Sequence, residues 1–420
     1  MKASILTIGD ELLIGQVINT NAAWIAAQLT HIGVEVVRHV TCADDDVDIM
    51  RCLNEESQGV QLLILTGGLG PTHDDRTKHV LATWYGCDLV EDEVAYDTLV
   101  NVLRSRGRTE MLERNREQAS VPSACTVLVN RNGTAPGMLF DDKNLLLVSL
   151  PGVPSEMKDI MTTSVLPIVR QRVESEGTLI RYYRTIHTVG IAEAYLADML
   201  SPLEEVLGGT ATLAFLPNVA GVRLRIGVPS LAEDRANEAL DTIEGKIRER
   251  LPDHAVFGTG DTTLAEEVVR LLQVRGSTIA VAESCTAGLL GAAITDVPGA
   301  SQVFPGGVIS YANSIKHQFL DVDESILQTA GAVSSECAVA MAEGVRRAFA
   351  TTYGVAITGV AGPDGGSPEK PVGTVWIAVA THGTTRSAQY RFGTDRSANR
   401  QRSVMMALAM IWQELRGQHA

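Results

Sequence analysis

Apolar and polar positions alternate in two distinct rhythms along this chain, and the rhythm changes twice. Short apolar runs ending in glycine or a polar turn recur in the first 165 or so residues: SILTIGD (4–10), VEVVRHVTC, QLLILTGG (61–68) and LLLVSLPG (145–152). Such runs predict buried parallel strands. Segments with helical spacing lie between them. NAAWIAAQLTHIG (21–33) predicts a helix with Asn21 as N-cap and Gly33 just past its end, and PSEMKDIMTTSVLPIVRQRV predicts another. This βαβ alternation predicts a parallel sheet covered by helices on both faces.

Residues 171–257 read as a small α+β module. RYYRTIHTVG (181–190) and AGVRLRIGVP (220–229) predict strands, beside two helical segments. PDHAVFGTGDTT (252–263) reads as a linker. A third unit, 258–420, opens with the amphipathic helix TTLAEEVVRLLQVRG and the strand STIAVAE (277–283), which passes directly into a helix at SCTAGLLGAAITDV. YGVAITGVAGPDGG (353–366) is a strand entering a glycine-rich loop, and VGTVWIAVAT (372–381) is a further strand. The expected domains are therefore 1–170, 171–257 and 258–420.

At 420 residues, two or three cores are expected. A net charge of −15 argues against a direct nucleic-acid groove. No apolar run is long enough for a membrane span, so a cytoplasmic protein is expected. The six cysteines form no C-x-x-C pair, which suggests neither a zinc ribbon nor a disulfide framework.

Ser284 sits where a strand turns toward a helix, where unpaired N–H groups favour an oxyanion. Cys285, Thr286 and Gly288 of the same turn would lie against a substrate. Downstream, Lys316 offers a base if desolvation lowers its pKa. Tyr311 would orient that lysine or relay its proton, and Asn313 would hold a polar substrate group. On the residues alone, Ser284 fits equally an N-cap serine, Lys316 a surface lysine, and Cys285 a competing nucleophile. Gly359, Gly362, Gly365 and Gly366 suit either a phosphate- or ribose-binding nest or a plain turn. In the N-terminal unit, Gly67, Gly68 and Gly70 precede a helix and suit a phosphate, with Asn21 available for a hydroxyl or phosphate contact. Asp10, Glu11, Asp74 and Asp75 offer oxygen ligands to a hard divalent cation, or simply complement helix dipoles; His73 reads as a loop neighbour.

AESCTAG, ITDVPGAS, GGVISYANSIK, GAVSSE and ITGVAGPDGGSPEKPVGTVW together resemble the C-terminal domain of the CinA (competence/damage-inducible) family, itself similar to stand-alone nicotinamide-nucleotide amidohydrolase. GDELLIG, TGGLGPTHDDRT, NGTAPGM and LPGVPSEM resemble the molybdopterin-binding fold and the family's N-terminal domain. The resemblance implies a three-layer α/β N-terminal domain, the α+β middle module and an α/β amidohydrolase domain. It implies that Ser284 and Lys316 deamidate nicotinamide mononucleotide without a cofactor. It also implies that the N-terminal site cleaves ADP-ribose to AMP and ribose 5-phosphate with magnesium, manganese or cobalt, Glu156 contributing. Two positions depart from the family pattern: Ala287 replaces a glycine, expected to be tolerated as a helix residue, and Asn19 replaces a carboxylate. A homodimer is expected from the otherwise unassigned middle module. Rival readings are a molybdopterin-handling protein and a non-enzymatic competence or repair partner.

Overall fold

The structure, a computed structural model, describes residues 1–70, 75–142, 144–176, 179–218 and 221–417. Its chain divides into two compact units, one built from residues 1–182 with 229–237, the other from 183–228 with 238 onward.

The first unit holds β1 (Lys2–Ile8), α1 (Thr20–His31), β2 (Glu35–Cys42), α2 (Asp46–Glu56), β3 (Leu62–Thr66), α3 (Thr77–Tyr85), β4 (Thr126–Leu128), β5 (Gly137–Asp142), β6 (Leu145–Leu150) and α4 (Pro154–Ile160). Its six strands run in the order β2-β1-β3-β6-β5-β4. β2, β1, β3 and β6 are parallel, whereas β5 and β4 add antiparallel, so the sheet is mixed rather than wholly parallel. Alternate residues of the central strands enter two separate cores, Ile5 and Ile64 on one face, Leu6 and Leu63 on the other. That double burial explains the unbroken apolar runs.

α1 begins two residues earlier than expected. Asn19, not Asn21, is its N-cap, accepting the Ala22 N–H at 3.0 Å. The Asn21 amide is instead drawn to the Gly152 carbonyl at 2.7 Å. Gly33 follows the helix end at φ 81°, as its position predicts.

Mostly within the second unit, β7 (Ile180–Thr188), β8 (Thr212–Pro217), β9 (Val222–Ser230) and β10 (Val256–Thr259) form a sheet in the order β8-β9-β7-β10, accompanied by α5 (Glu233–Arg250). β10 falls inside the expected linker. Its Val256 and the preceding Ala255 are buried and the strand pairs antiparallel with β7, so this stretch is structure rather than tether.

The remaining elements are α6 (Leu264–Val274), β11 (Ile279–Glu283), α7 (Leu289–Thr295), β12 (Gly306–Ile309), α8 (Asn313–Leu320), α9 (Ser335–Ala348), β13 (Tyr353–Gly359), β14 (Thr374–Ala380), β15 (Thr385–Arg391) and α10 (Arg396–Gly417). A capping box between Thr263 and Glu266 starts α6, which buries Leu264, Val268, Val269 and Leu272 as one stripe. The sheet order is β12-β11-β13-β14-β15, with β12, β11 and β13 parallel and the last two strands antiparallel. Both faces are covered by apolar cores. No helix among the described residues is long and apolar enough to cross a membrane.

Candidate active site

Three neighbouring parallel strands, β12, β11 and β13, end side by side, and the chain leaving each end supplies part of one site. Loops at the carboxyl ends of parallel strands are the usual place for ligands in such sheets. Ser284 follows β11, its N–H continuing the ladder to the Ile357 carbonyl at 2.9 Å. Ser310 and Tyr311 follow β12, and the glycine-rich loop follows β13.

Ser284 is not at a helix N-cap. Residues 284–288 make a turn, and α7 starts only at Leu289, with Gly288 as its N-cap at φ 96°. The N–H groups expected to receive an oxyanion are partly taken. The buried carboxylate of Glu283 accepts from Gly288 (3.0 Å), Leu290 (3.1 Å) and Gly291 (2.8 Å). The Gly288 N–H is thus committed to shaping the turn. Among the described residues, the N–H groups of Cys285 and Thr286 donate to no carbonyl of another residue. They are the pair available to a developing negative charge.

Lys316 lies in the second turn of α8 and is 1% exposed. Its Nζ is 3.2 Å from Ser284 Oγ, 2.7 Å from the Ser310 carbonyl and 3.4 Å from the Tyr311 carbonyl. Burial holds its pKa below the ordinary lysine value. When the amine is neutral, its two hydrogens satisfy the carbonyls and its lone pair faces the serine hydroxyl. Cys285 is buried, and desolvation raises its thiol to about 11, an environment of the kind that keeps structural cysteines unreactive.

Tyr311 orients the lysine through its carbonyl, while its exposed phenol accepts a hydrogen bond from Arg396 Nη2 at 3.1 Å. Arg396 Nη1 reaches the Gly362 carbonyl at 2.7 Å, linking the β12 and β13 loops. Arg400, one turn on, donates to the Thr286 carbonyl at 2.9 Å, and the Thr286 hydroxyl is buried without a partner among the described residues. Asn313 is exposed at the first position of α8. Of the loop glycines, Gly362 is fixed in place: at φ 92°, a side chain there would meet Val372. Gly359 ends β13, a Cβ on Gly366 would meet the Val372 nitrogen, and Gly365 opens to free space on most sides.

Sequence reasoning missed Glu283, Arg396 and Arg400. A carboxylate ending the apolar strand IAVAE was the available signal for the first, since buried charges are rare unless bonded. Nothing local marks the two arginines, which lie more than 100 residues from Ser284. Ala287 is exposed at φ 49°, a left-handed conformation and not a helical one, so its expected tolerance as a helix residue rested on the wrong backbone.

In the first unit, Asp10 and Asp44 each accept the other's backbone N–H, at 3.4 and 3.2 Å. Asp44, which sequence reasoning missed, has its carboxyl raised above its ordinary pKa by burial. The Asp10 N–H partly offsets this, and the charges of Asp10, Glu11 and Asp75 add to it. Glu11 folds back over Gly9, and Asp75 lies against Gly70. Asp74 and His73 lie outside the described residues. Oxygen donors of this kind suit a hard cation, yet no three of them share one coordination sphere among the described residues. Gly67 and Gly68 are required by close approach to the Ile8 carbonyl and Thr77. Asn21 bridges to Gly152, and Glu156 accepts from Asn130 Nδ2 at 2.7 Å. Asn19 serves as the α1 cap, with its amide on Thr7.

Residues 4–171 match a family described as a probable molybdopterin binding domain, 183–258 the damage-inducible protein CinA KH domain, and 261–415 the CinA C-terminal domain. The CinA-like protein of Gemmatimonas aurantiaca is 44% identical, over 97% of this chain and 95% of that one. The CinA-like protein of Salinibacter ruber is 43% identical, over 97% and 98%. The crystal structure of competence/damage inducible protein CihA from Agrobacterium tumefaciens is 37% identical, covering 37% of this chain and 97% of that one, with a TM-score of 0.35.

Proposed function

The chain belongs to the CinA family, and from that premise we propose that its C-terminal domain hydrolyses the amide of nicotinamide mononucleotide. One observation carries this reading: a buried lysine amine stands 3.2 Å from the hydroxyl of a serine at the end of a sheet strand. Neutral Lys316 takes the Ser284 proton as Oγ attacks the amide carbon. The oxyanion falls to the N–H groups of Cys285 and Thr286. The Lys316 ammonium returns the proton to the leaving nitrogen, the C–N bond breaks, and ammonia departs. Water, deprotonated by the same lysine, then cleaves the acyl ester to give nicotinic acid mononucleotide. Arg396 supplies a guanidinium for the substrate phosphate beside the 359–366 loop. The test is ammonia release in the presence of chelator. Wild type should be active and Ser284→Ala and Lys316→Ala inactive; full activity in Ser284→Ala would refute the assignment.

The carboxylate pair Asp10 and Asp44 favours a second reaction in the first unit, cleavage of ADP-ribose to AMP and ribose 5-phosphate. Asp10 and Asp44 would supply two carboxylates to a magnesium, manganese or cobalt ion, with substrate phosphate oxygens and water completing its shell, and the bound ion would draw negative charge from the pyrophosphate. AMP formation that ignores chelator and Asp44→Asn would discard this reading. The same proposal takes the protein to be a cytoplasmic homodimer acting on small nucleotides, with no nucleic-acid or membrane partner. Sedimentation as a monomer at micromolar concentration would remove the dimer.

A further inference from the structure

We propose that Cys42, Asp48 and Cys52 form a site for a thiophilic divalent cation of the zinc class. β2 ends at Cys42, and α2 starts four residues later, capped by Asp45. Asp48 and Cys52 are one helical turn apart, so they share a face of α2. That face meets Cys42. One ligand atom from each residue, two sulfurs and one carboxylate oxygen, lies within 4.8 Å of the others. Zinc–sulfur and zinc–oxygen bonds of about 2.3 and 2.1 Å place tetrahedral neighbours roughly 3.5–3.8 Å apart. A contraction of about 1 Å through side-chain rotation therefore closes the set.

The charges balance. Binding releases two thiol protons, leaving two thiolates and one carboxylate around a dipositive ion, a net charge of minus one. Arg51 already bonds Asp48 Oδ1 through Nε at 3.1 Å and neutralises that excess. The Ala43 N–H fixes Asp48 Oδ2 at 3.0 Å, an orienting contact of the kind that supports metal ligands. Both sulfurs are buried, whereas Asp48 is partly exposed, so a water reaches the fourth position from its side. Sulfur donors distinguish this site from the oxygen-only carboxylates around Asp44. An ion here would pin the end of β2 to α2 and thereby fix the 43–45 turn that carries Asp44.

Cadmium is the first probe, because its thiolate charge-transfer band has no counterpart at carboxylates. Titration of the reduced full-length protein should saturate the band at one cadmium per chain, and zinc alone should displace it. Cys52→Ser should abolish the band and weaken zinc retention by roughly tenfold or more. Asp48→Asn, a change on the partly exposed side of α2, should keep the band but weaken zinc retention by about tenfold. Absence of the band in wild type, or its persistence in Cys52→Ser, overturns the proposal. Should Cys52→Ser fail to fold, equal zinc retention by wild type and Asp48→Asn overturns it.

Discussion

The Gly291 N–H donates to the Glu283 carboxylate at 2.8 Å, tying the end of a sheet strand to the first turn of the helix eight residues later. With Gly288 and Leu290 bonded to the same carboxylate, the turn carrying Ser284 has little freedom. Glu283→Ala strips three backbone donors of their acceptor. The expected loss, read from urea unfolding, is about 2–4 kcal/mol, since orphaned buried donors cost roughly 1–3 kcal/mol each and water reaches two of these. Turnover should fall more than KM rises, and Glu283→Gln should lie between.

Lys316→Met preserves the volume of the buried side chain and removes its amine. Ammonia release should drop by about 10²–10⁴-fold, the usual worth of a general base. Thermal stability should change little, because relief of a buried cation is offset by the loss of the donor to the Ser310 and Tyr311 carbonyls. A variant that melts early would mark Lys316 as structural instead.

Activity should rise with pH until Lys316 is neutral, with the midpoint of kcat/KM below 10.5, the ordinary lysine value. Stability follows the same sign. Between the lowered folded pKa and 10.5 the unfolded chain binds more protons, so folding stability increases with pH across that window. Lys316→Met should flatten this slope, which is measurable by unfolding at stepped pH.

Ala287 occupies the left-handed region with an exposed methyl. Glycine avoids that strain but loses more entropy on folding, leaving an expected gain of about 0.5–1 kcal/mol for Ala287→Gly. Ala287→Val should lose stability by a larger amount. Differential scanning calorimetry of the pair decides it.

Arg396→Ala should raise KM for nicotinamide mononucleotide by about tenfold to a hundredfold, the worth of a charge-assisted hydrogen bond. Turnover should change little. The nucleoside lacking the phosphate should be indifferent to the change; an equal loss on both substrates would assign Arg396 to holding Tyr311 rather than to the phosphate.

Much of this arrangement was legible beforehand, for a physical reason. Buried parallel strands must be apolar throughout, so QLLILTGG and STIAVAE announce themselves, and Ser284 and Lys316 stand beside such strands. Asn19 and Asn21 show the limit. Both are good caps, and only the distant Gly152 carbonyl decides which one is free to act. β10 was hidden because a short edge strand containing Gly258 looks like a tether until β7 is placed beside it. Arg396 and Arg400 come from a helix that begins long after the serine, and only the folded sheet brings them to it. The backbone of Ala287 was equally invisible, since the carboxylate that bends its turn acts through groups farther along the chain.

Ser284 and the helix that carries Lys316, the proposed nucleophile and base, follow adjacent strands whose pairing matches Glu283 with Ile309. A slip of one residue displaces a strand by about 3.3 Å, as much as the whole 3.2 Å gap between Lys316 Nζ and Ser284 Oγ. The proposed hydrolysis would thus gauge strand alignment. A population of misaligned molecules would look folded to circular dichroism yet be catalytically silent, and specific activity would count the correctly zipped fraction.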